Sequence, residues 1–358
     1  MASAPRAGTV PGPTLSWERR FDRLEERCRE VAFTNRCVKC SLAGRTFTVA
    51  GSAEAQGWLL RPLRHLAGAA GHQAPLEILI GSGADPQVDA LSDVALDHTG
   101  QGTSVVRPRL LMGDGRALIG GLWPDVGMLG LLHRQRRRAL LWIRDVDTIP
   151  AADAATLLRS VVAWWLTGTA FVVTHAAAVA GRRGAALLAG AGGSGKSSTA
   201  TACFEAGLSF LGDDSVLCGV STAEAFSLSG CASLFSGDLT RHHSSLSPFA
   251  GASPGVEGKV FVDLASAGPE RVTTSAPLRA VVRLTIGDGE AGLEPASRSR
   301  VLTALAPSSL FNVPGLDPGA LAGMASLIRS LDAYELRLSG DRSEAGRLLR
   351  DLLGAGSP

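Results

Sequence analysis

Lysine is almost missing from this 358-residue chain: it occurs only at Lys39, Lys196 and Lys259, and arginine supplies every other basic side chain. Lysine is a compact point charge on a flexible stem and arginine a planar fork, so each surviving lysine is informative where one oxygen must be touched in a narrow space. Asparagine is as scarce, at Asn35 in TNRC and Asn312 in FNVP, which excludes an NKxD-type guanine reader. An LSGGQ signature is also lacking; Leu228-Ser229-Gly230-Cys231 is only a fragment of one. No excess of one charge exists either, with 35 basic against 33 acidic residues and a net charge of +2. That excludes a global field recruiting nucleic acid or an anionic membrane, so neither partner is expected and any polyanion site must be local.

Six cysteines, at 28, 37, 40, 203, 218 and 231, are too few and too irregular for a disulfide framework. Cys37 and Cys40 form one CxxC without a second pair, and on a strand positions three apart face opposite ways, so a structural role is expected rather than a metal site. The first residues, MASAPRAGTVPGPT, have no apolar h-region and read as a disordered tail over residues 1–16. The longest stretch without Asp, Glu, Lys or Arg, 160–181, contains Gly168, Thr167, Thr169, Thr174 and His175. It reads as the end of a buried helix, a break and a buried strand rather than a membrane span. A cytoplasmic protein is expected.

Apolar residues make up 45% of the chain, enough for a sizeable core, and the length suits two domains. Residues 17–150 read as a small α+β domain: a charged surface helix at 17–31, strands at 36–42 and 45–50 around Ala43-Gly44, a helix at 53–67 and a strand at 75–80. Short apolar runs follow from 104 to 145, with Gly113-Asp114-Gly115 as a hairpin cue. The basic run Arg134-Gln135-Arg136-Arg137-Arg138 reads as a solvated loop, with acceptor recognition as the other use. A helix at 151–167 carries Trp164 and Trp165, expected in packing. From 170 onward strands and helices alternate, which defines residues 151–358 as a second, α/β domain.

That second part carries the chemistry. Gly190-Ala191-Gly192-Gly193-Ser194-Gly195-Lys196-Ser197 fits GxxxxGK[ST], the Walker A or P-loop pattern, after an apolar strand and before a helix ending near Gly207. Glycines let successive N–H groups curl inward onto phosphate oxygens, and the helix end adds positive potential. In such a loop Lys196 reaches the β and γ phosphates of a nucleoside triphosphate, the Ser197 hydroxyl ligates Mg²⁺, and Ser198 follows in the first helical turn. Asp213 and Asp214 stand 17 and 18 residues past Lys196, at the end of a strand over 208–212. One carboxylate can serve Mg²⁺ and the other can take a proton from an attacking hydroxyl, provided the chain turns there so that both face one site. The same parts also serve plain ATP hydrolysis with one acid idle.

His175, the P-loop, Gly207 and the Leu211-Gly212-Asp213-Asp214 run together resemble the C-terminal catalytic domain of HPr kinase/phosphorylase, and more closely the HPr-kinase-like proteins of bacterial peptide and natural-product gene sets. In that family a histidine lies 21 residues before the lysine and an Asp pair 17 and 18 after it, spacings matched by His175, Lys196, Asp213 and Asp214. The resemblance covers roughly residues 155 to 350 and implies a P-loop kinase fold akin to phosphoenolpyruvate carboxykinase. It implies Asp213 as general base toward a serine hydroxyl, Asp214 with Ser197 as the Mg²⁺ ligands, and His175 beside the phosphate. It also implies that Lys259, in Glu257-Gly258-Lys259-Val260-Phe261-Val262-Asp263-Leu264, faces the nucleotide, although a lone exposed lysine fits the residues equally. The chain departs from the family at 227–234 (SLSGCASL), where relatives tend to carry an SLYxxxKL-type segment, and Ser233 takes the lysine's place.

The expectation is therefore an ATP- and Mg²⁺-dependent kinase acting on a Ser or Thr of a peptide or small protein, with HPr itself an unexpected acceptor. A homo-oligomer is compatible with the sequence. The alternatives are a nucleotide-responsive ATP-binding scaffold with little transfer activity, and a kinase of small-molecule alcohols. A carboxykinase needs more lysine and histidine ligands than three lysines allow.

Overall fold

The computed structural model describes residues 16–32, 37–68, 75–88, 109–112, 117–123, 127–148, 151–166, 170–251, 258–287, 289–312 and 319–355. All of the expected tail 1–16 except Ser16, the Gly113-Asp114-Gly115 cue, Glu257 and the boundary at 150 lie outside these residues. The architecture is mixed α/β, with two large sheets whose strands come from separate stretches of chain.

Helix α1 (Trp17–Ala32) precedes strands β1 (Val38–Leu42) and β2 (Arg45–Gly51). Ala43 and Gly44 both take positive φ, 51° and 71°, the primed turn that matches the twist of a two-residue hairpin. Helix α2 (Ala53–Leu59) ends earlier than the periodicity of 53–67 suggests, because Pro62 lacks an amide hydrogen; a 3-10 turn over Arg61–Leu66 replaces the rest. Strands β3 (Leu76–Ser82), β4 (Arg109–Met112), β5 (Leu118–Trp123), β6 (Met128–His133) and β7 (Arg138–Ile143) complete a seven-stranded sheet in the order β1-β2-β3-β7-β6-β5-β4. Its β2-β3-β7 centre is parallel and its flanks antiparallel. One face packs Leu79, Leu140 and Trp142 against Phe21, Leu24 and Cys28 of α1. The other packs Ile78, Ile80, Leu141 and Ile143 against α2 and helix α3 (Ala151–Leu166).

The second sheet follows α3. Strands β8 (Phe171–Thr174), β9 (Ala177–Gly181), β10 (Gly184–Ala189), β11 (Ser209–Gly212), β12 (Val216–Gly219), β13 (Glu224–Ser227) and the long β16 (Ser275–Ile286) run in the order β11-β9-β10-β16-β13-β12-β8. Two further strands, β14 (Cys231–Phe235) and β15 (Lys259–Asp263), form a separate ribbon, while β17 (Gly292–Pro295) and β18 (Asp332–Leu338) extend the sheet from β16. Strand β10 is parallel to β16, and β16 to β18, the geometry that needs crossover helices. Those helices cover both faces. Helices α4 (Lys196–Glu205) and α9 (Arg342–Leu353) pack on Val179, Leu188, Val282 and Leu336. Helices α7 (Arg298–Asn312) and α8 (Ala320–Arg329) pack on Ala178, Leu187 and Val281. Alternate residues of β9 and β10 thus enter opposite cores, which explains runs such as AALLA with no polar face. Between these pairs lie α5 (Ser236–His242) and α6 (Leu264–Ala267).

One cluster joins the two sheets. Val173, Leu217, Phe226 and Leu228 share it with Trp164 and Trp165 of α3 and with the inner face of the first sheet. Trp164 is fully buried, its ring 5.7 Å from that of Trp123, so the tryptophans pack as expected. All six cysteines are free, with Cys40 buried and Cys37 exposed, the structural arrangement expected for the CxxC. Among the described residues no helix is long and apolar enough to cross a membrane.

Candidate functional site: a phosphate-type loop facing paired carboxylates

Strand β10 ends at Ala189, and the loop from Gly190 to Gly195 turns the chain into α4. Two glycines are required sterically. Gly195 caps α4 at φ +88°, where a Cβ would also stand 2.9 Å from Leu338 Cδ1; a Cβ on Gly190 would collide with the Ser194 side chain. Lys196 is buried and its ammonium donates to the carbonyls of Gly190 (2.9 Å) and Ala191 (3.1 Å), folded over the loop from which it springs. Burial pushes its pKa down, against the pull of Asp213 and Asp214. The Ser194 hydroxyl and the Thr199 hydroxyl are buried without a partner among the described residues.

The acids arrive from the next strand. Strand β11 stops at Gly212, and Asp214 adopts φ 61°, a left-handed conformation that Asp tolerates better than most residues. Ser215 N–H donates back to the Asp213 carbonyl at 2.7 Å, closing the turn. The tandem pair therefore leaves the alternating geometry of a strand, the condition under which both side chains can serve one place. The Ser197 hydroxyl donates to Asp213 Oδ1 at 3.0 Å, and the Ser233 amide donates to Asp213 Oδ2 at 3.0 Å. Asp213 is only 1% exposed. Burial, then the neighbouring Asp214 charge, lifts its pKa to about 6. For Asp214 burial acts the same way but is outweighed by Arg159, Lys259, His175 and Lys196, so that carboxyl stays below its ordinary range. The pair is split into one carboxyl that gives up its proton near pH 6 and one that gives it up below the ordinary carboxylate range.

His175 follows β8, with its backbone amide donating to Ser309 Oγ at 2.9 Å and its Nδ1 2.8 Å from the Asp214 carbonyl. A carbonyl accepts only, so Nδ1 carries the hydrogen and Nε2 is the ring's acceptor atom. Burial drives its pKa down to about 4, which keeps the imidazole neutral near pH 7. Lys259 opens β15, its ammonium 5.6 Å from the Phe235 ring centroid. Ser198 faces elsewhere: its hydroxyl pairs with Nε2 of the buried His243 at 2.9 Å.

Of the residues singled out in the sequence, the structure gathers Gly190, Ala191, Lys196, Ser197, Asp213, Asp214 and His175, with Gly192, Gly193 and Ser194 in the same loop. It directs the Ser197 hydroxyl to Asp213 rather than to Asp214. Three of the four arginines of 134–138 are engaged within the protein, and Arg137 is exposed. Arg136 pairs with Asp22 and Glu18, Arg138 with Glu25 and Glu77, and Arg134 donates to the Trp164 carbonyl. They tie α1 and α3 to the β6–β7 hairpin.

Two participants escaped the sequence reading. Arg159 donates to the Asp213 carbonyl at 3.3 Å; its signal was being the only basic residue in AADAATLLRSVVAWWL. Ser233 acts through its backbone amide, which no side-chain pattern reports.

Among the described residues no cluster of three or more His, Cys, Asp or Glu forms a self-sufficient metal cage. A serine hydroxyl and two carboxylates beside an amide loop suit Mg²⁺, which usually takes one or two carboxylates and completes its shell with water and phosphate oxygens. The donor set fits such a cation.

No protein-family model matches the chain, and no curated protein matches it. Among solved structures it is similar to the Hpr(Ser) kinase/phosphatase from Coxiella burnetii, at 11% identity over 50% of this chain and 95% of that one, with a TM-score of 0.27. The case for a function rests on the side chains above and not on that likeness.

Proposed function

We propose that the chain is an ATP- and Mg²⁺-dependent kinase of the HPr-kinase-like, P-loop type, transferring the γ-phosphate to a hydroxyl of a serine or threonine in a peptide or small protein. The observation that carries this reading is the hydrogen bond from Ser197, in the first turn after the glycine loop, to the buried Asp213. It sets a carboxylate against the helix end at which a phosphate chain is held, with a second carboxylate adjoining.

Each residue has a task. The 190–195 amides and the Lys196 ammonium hold the β and γ phosphates, the lysine exchanging loop carbonyls for phosphate oxygens. Asp213 takes the acceptor proton while the acceptor oxygen bonds to the γ phosphorus and the bond to the β–γ bridging oxygen breaks, releasing ADP. Asp214 and Ser197 hold Mg²⁺, which when bound offsets phosphate charge. His175, neutral, anchors the Asp214 backbone through Nδ1–H, and Arg159 and Lys259 keep Asp214 ionised. Residues 17–150 recognise the acceptor with a surface other than the paired arginines. The setting is cytoplasmic, with reduced cysteines and without a nucleic-acid or membrane partner; a homo-oligomer fits the same reading.

The Ser197–Asp213 bond also favours a second assignment, in which Asp213 is the metal-side acid and Asp214 the proton acceptor. Measuring ATP affinity with and without Mg²⁺ in Asp213→Asn and Asp214→Asn separates the two. The first assignment expects Asp213→Asn to keep Mg²⁺-dependent affinity and lose transfer; loss of that affinity in Asp213→Asn reverses the roles. ATP bound without phosphate reaching any hydroxyl leaves only the nucleotide-responsive scaffold.

A further inference from the structure

A second cluster of positive charge lies against the last turns of α4, and neither Asp213 nor Asp214 lines it. A cavity of about 420 Å³ opens between α4, α5 and α9. Arg241 and His242 come from the end of α5, Arg342, Arg347 and Arg350 from α9, and Glu205 from the last turn of α4. The acidic members are already committed. Glu205 accepts from Ser245 Oγ at 2.7 Å and pairs with His243 Nδ1 at 2.7 Å, while Asp341 caps α9 through the Ser343 amide at 2.8 Å. The arginines are not. Arg241 and Arg347 form no ion pair among the described residues, although both are exposed. Arg342 donates from Nη1 to the Ser339 carbonyl at 2.8 Å, but its Nε is buried without a partner among the described residues. His242 is held below its ordinary pKa by burial and by Arg342, so it adds a neutral hydrogen-bonding ring.

We propose that this cavity binds a small phosphate-bearing anion, a phosphate ester or a diphosphate, separately from the phosphates of the nucleotide. Four guanidinium groups against two engaged carboxylates leave an excess of two positive charges, which a dianion neutralises. Arginine forks take phosphate oxygens in pairs, and a tetrahedral dianion presents oxygens to several forks at once. The volume holds a phosphate with a small organic body and is too modest for a macromolecular segment. The cavity also borders the loop: the Arg342 guanidinium carbon lies 4.0 Å from where a Gly195 Cβ would stand, and His243 links Glu205 to the Ser198 hydroxyl in the first turn of α4. An anion here would therefore sit behind the helix whose front end forms the loop.

Inorganic pyrophosphate is the probe, titrated calorimetrically into the full chain carrying Lys196→Ala, which weakens the loop. One binding event should remain. Adding Arg241→Ala and Arg347→Ala should weaken it about tenfold per arginine, the size of a charged hydrogen bond to phosphate. Unchanged pyrophosphate affinity in that triple variant overturns the proposal. Arg347→Glu alone, a change at an exposed side chain, should give a comparable loss without touching the packing. With Lys196 intact, the two arginine substitutions should leave ADP affinity within about twofold. Parallel loss of ADP and pyrophosphate binding would make the cavity part of the nucleotide site and overturn the claim of a separate one.

Discussion

Replacing Asp213 by Asn should disable the site and stabilise the protein. Asp213 is 1% exposed beside a second carboxylate, and its pKa stands at about 6 against an ordinary 3.8. That gap corresponds to about 3 kcal/mol of cost for carrying the charge in the folded state. The sign follows from proton counting. Between the unfolded and folded pKa values the native state keeps a proton that the unfolded state has lost, so this group's contribution to stability falls as pH rises through about 4 to 6. Below that window wild type suffers no cost; above pH 7 the cost is complete. Asparagine never ionises, and its amide can be seated with Oδ1 toward the Ser233 amide and Nδ2 toward the Ser197 hydroxyl, which can accept. The advantage of Asp213→Asn should therefore be near zero at pH 4 and grow to about 1–3 kcal/mol at pH 8, a rise of a few degrees in melting temperature. Thermal unfolding of both proteins at pH 4, 6 and 8, free of nucleotide and divalent cations, provides the comparison. A variant that melts below wild type at pH 8, or an offset independent of pH, refutes the electrostatic account of this pair.

Three further outcomes are expected. Lys196→Ala should weaken MgATP binding at least tenfold in a fluorescence titration, since a charged contact to phosphate is worth about 1.5–3 kcal/mol; unaltered affinity would remove the lysine from the site. Trp164→Ala should destabilise the fold by about 3–5 kcal/mol in denaturant unfolding, because a fully buried indole leaves a cavity in the cluster shared by both sheets. A loss under 1 kcal/mol would argue that the shared cluster does not stabilise the fold. Arg159→Met should lower transfer with little change in ATP affinity, the guanidinium acting on the acids and not on the loop; equal loss of both would contradict that placement.

Short-range patterns made the loop and the acids legible before any coordinates. The spacings His175–Lys196 and Lys196–Asp213 span β9, β10, the loop, α4 and β11, whose lengths are set by hydrogen bonding, so the sequence offsets carry over into space. The helix stop at Gly207, one residue past the C-cap Ala206, was legible for the same reason: its φ of 91° suits glycine, and its amide closes on Phe204. Elements held by tertiary contacts were not legible. Strand β9 hides in AAAVAG beside β10 because both faces are buried, which erases the alternation that separates two strands from one. Helix α7 went unread because Pro307 interrupts it, although Ser309 in it receives the His175 amide. The arginine run 134–138 read as solvated because its partners, Glu18, Asp22, Glu25 and Glu77, lie far off in sequence.

The claim beneath all of this is that Asp213, Asp214 and the 190–197 loop act together on one phosphate and one hydroxyl. Mass spectrometry of short Ser- and Thr-bearing peptides after incubation with the full chain and MgATP tests it most directly. The account predicts a gain of about 80 Da, one phosphoryl group, on a hydroxyl residue, absent with Asp213→Asn. ATP consumed to ADP and free phosphate at the same rate with and without acceptor, and no modified peptide, would contradict it.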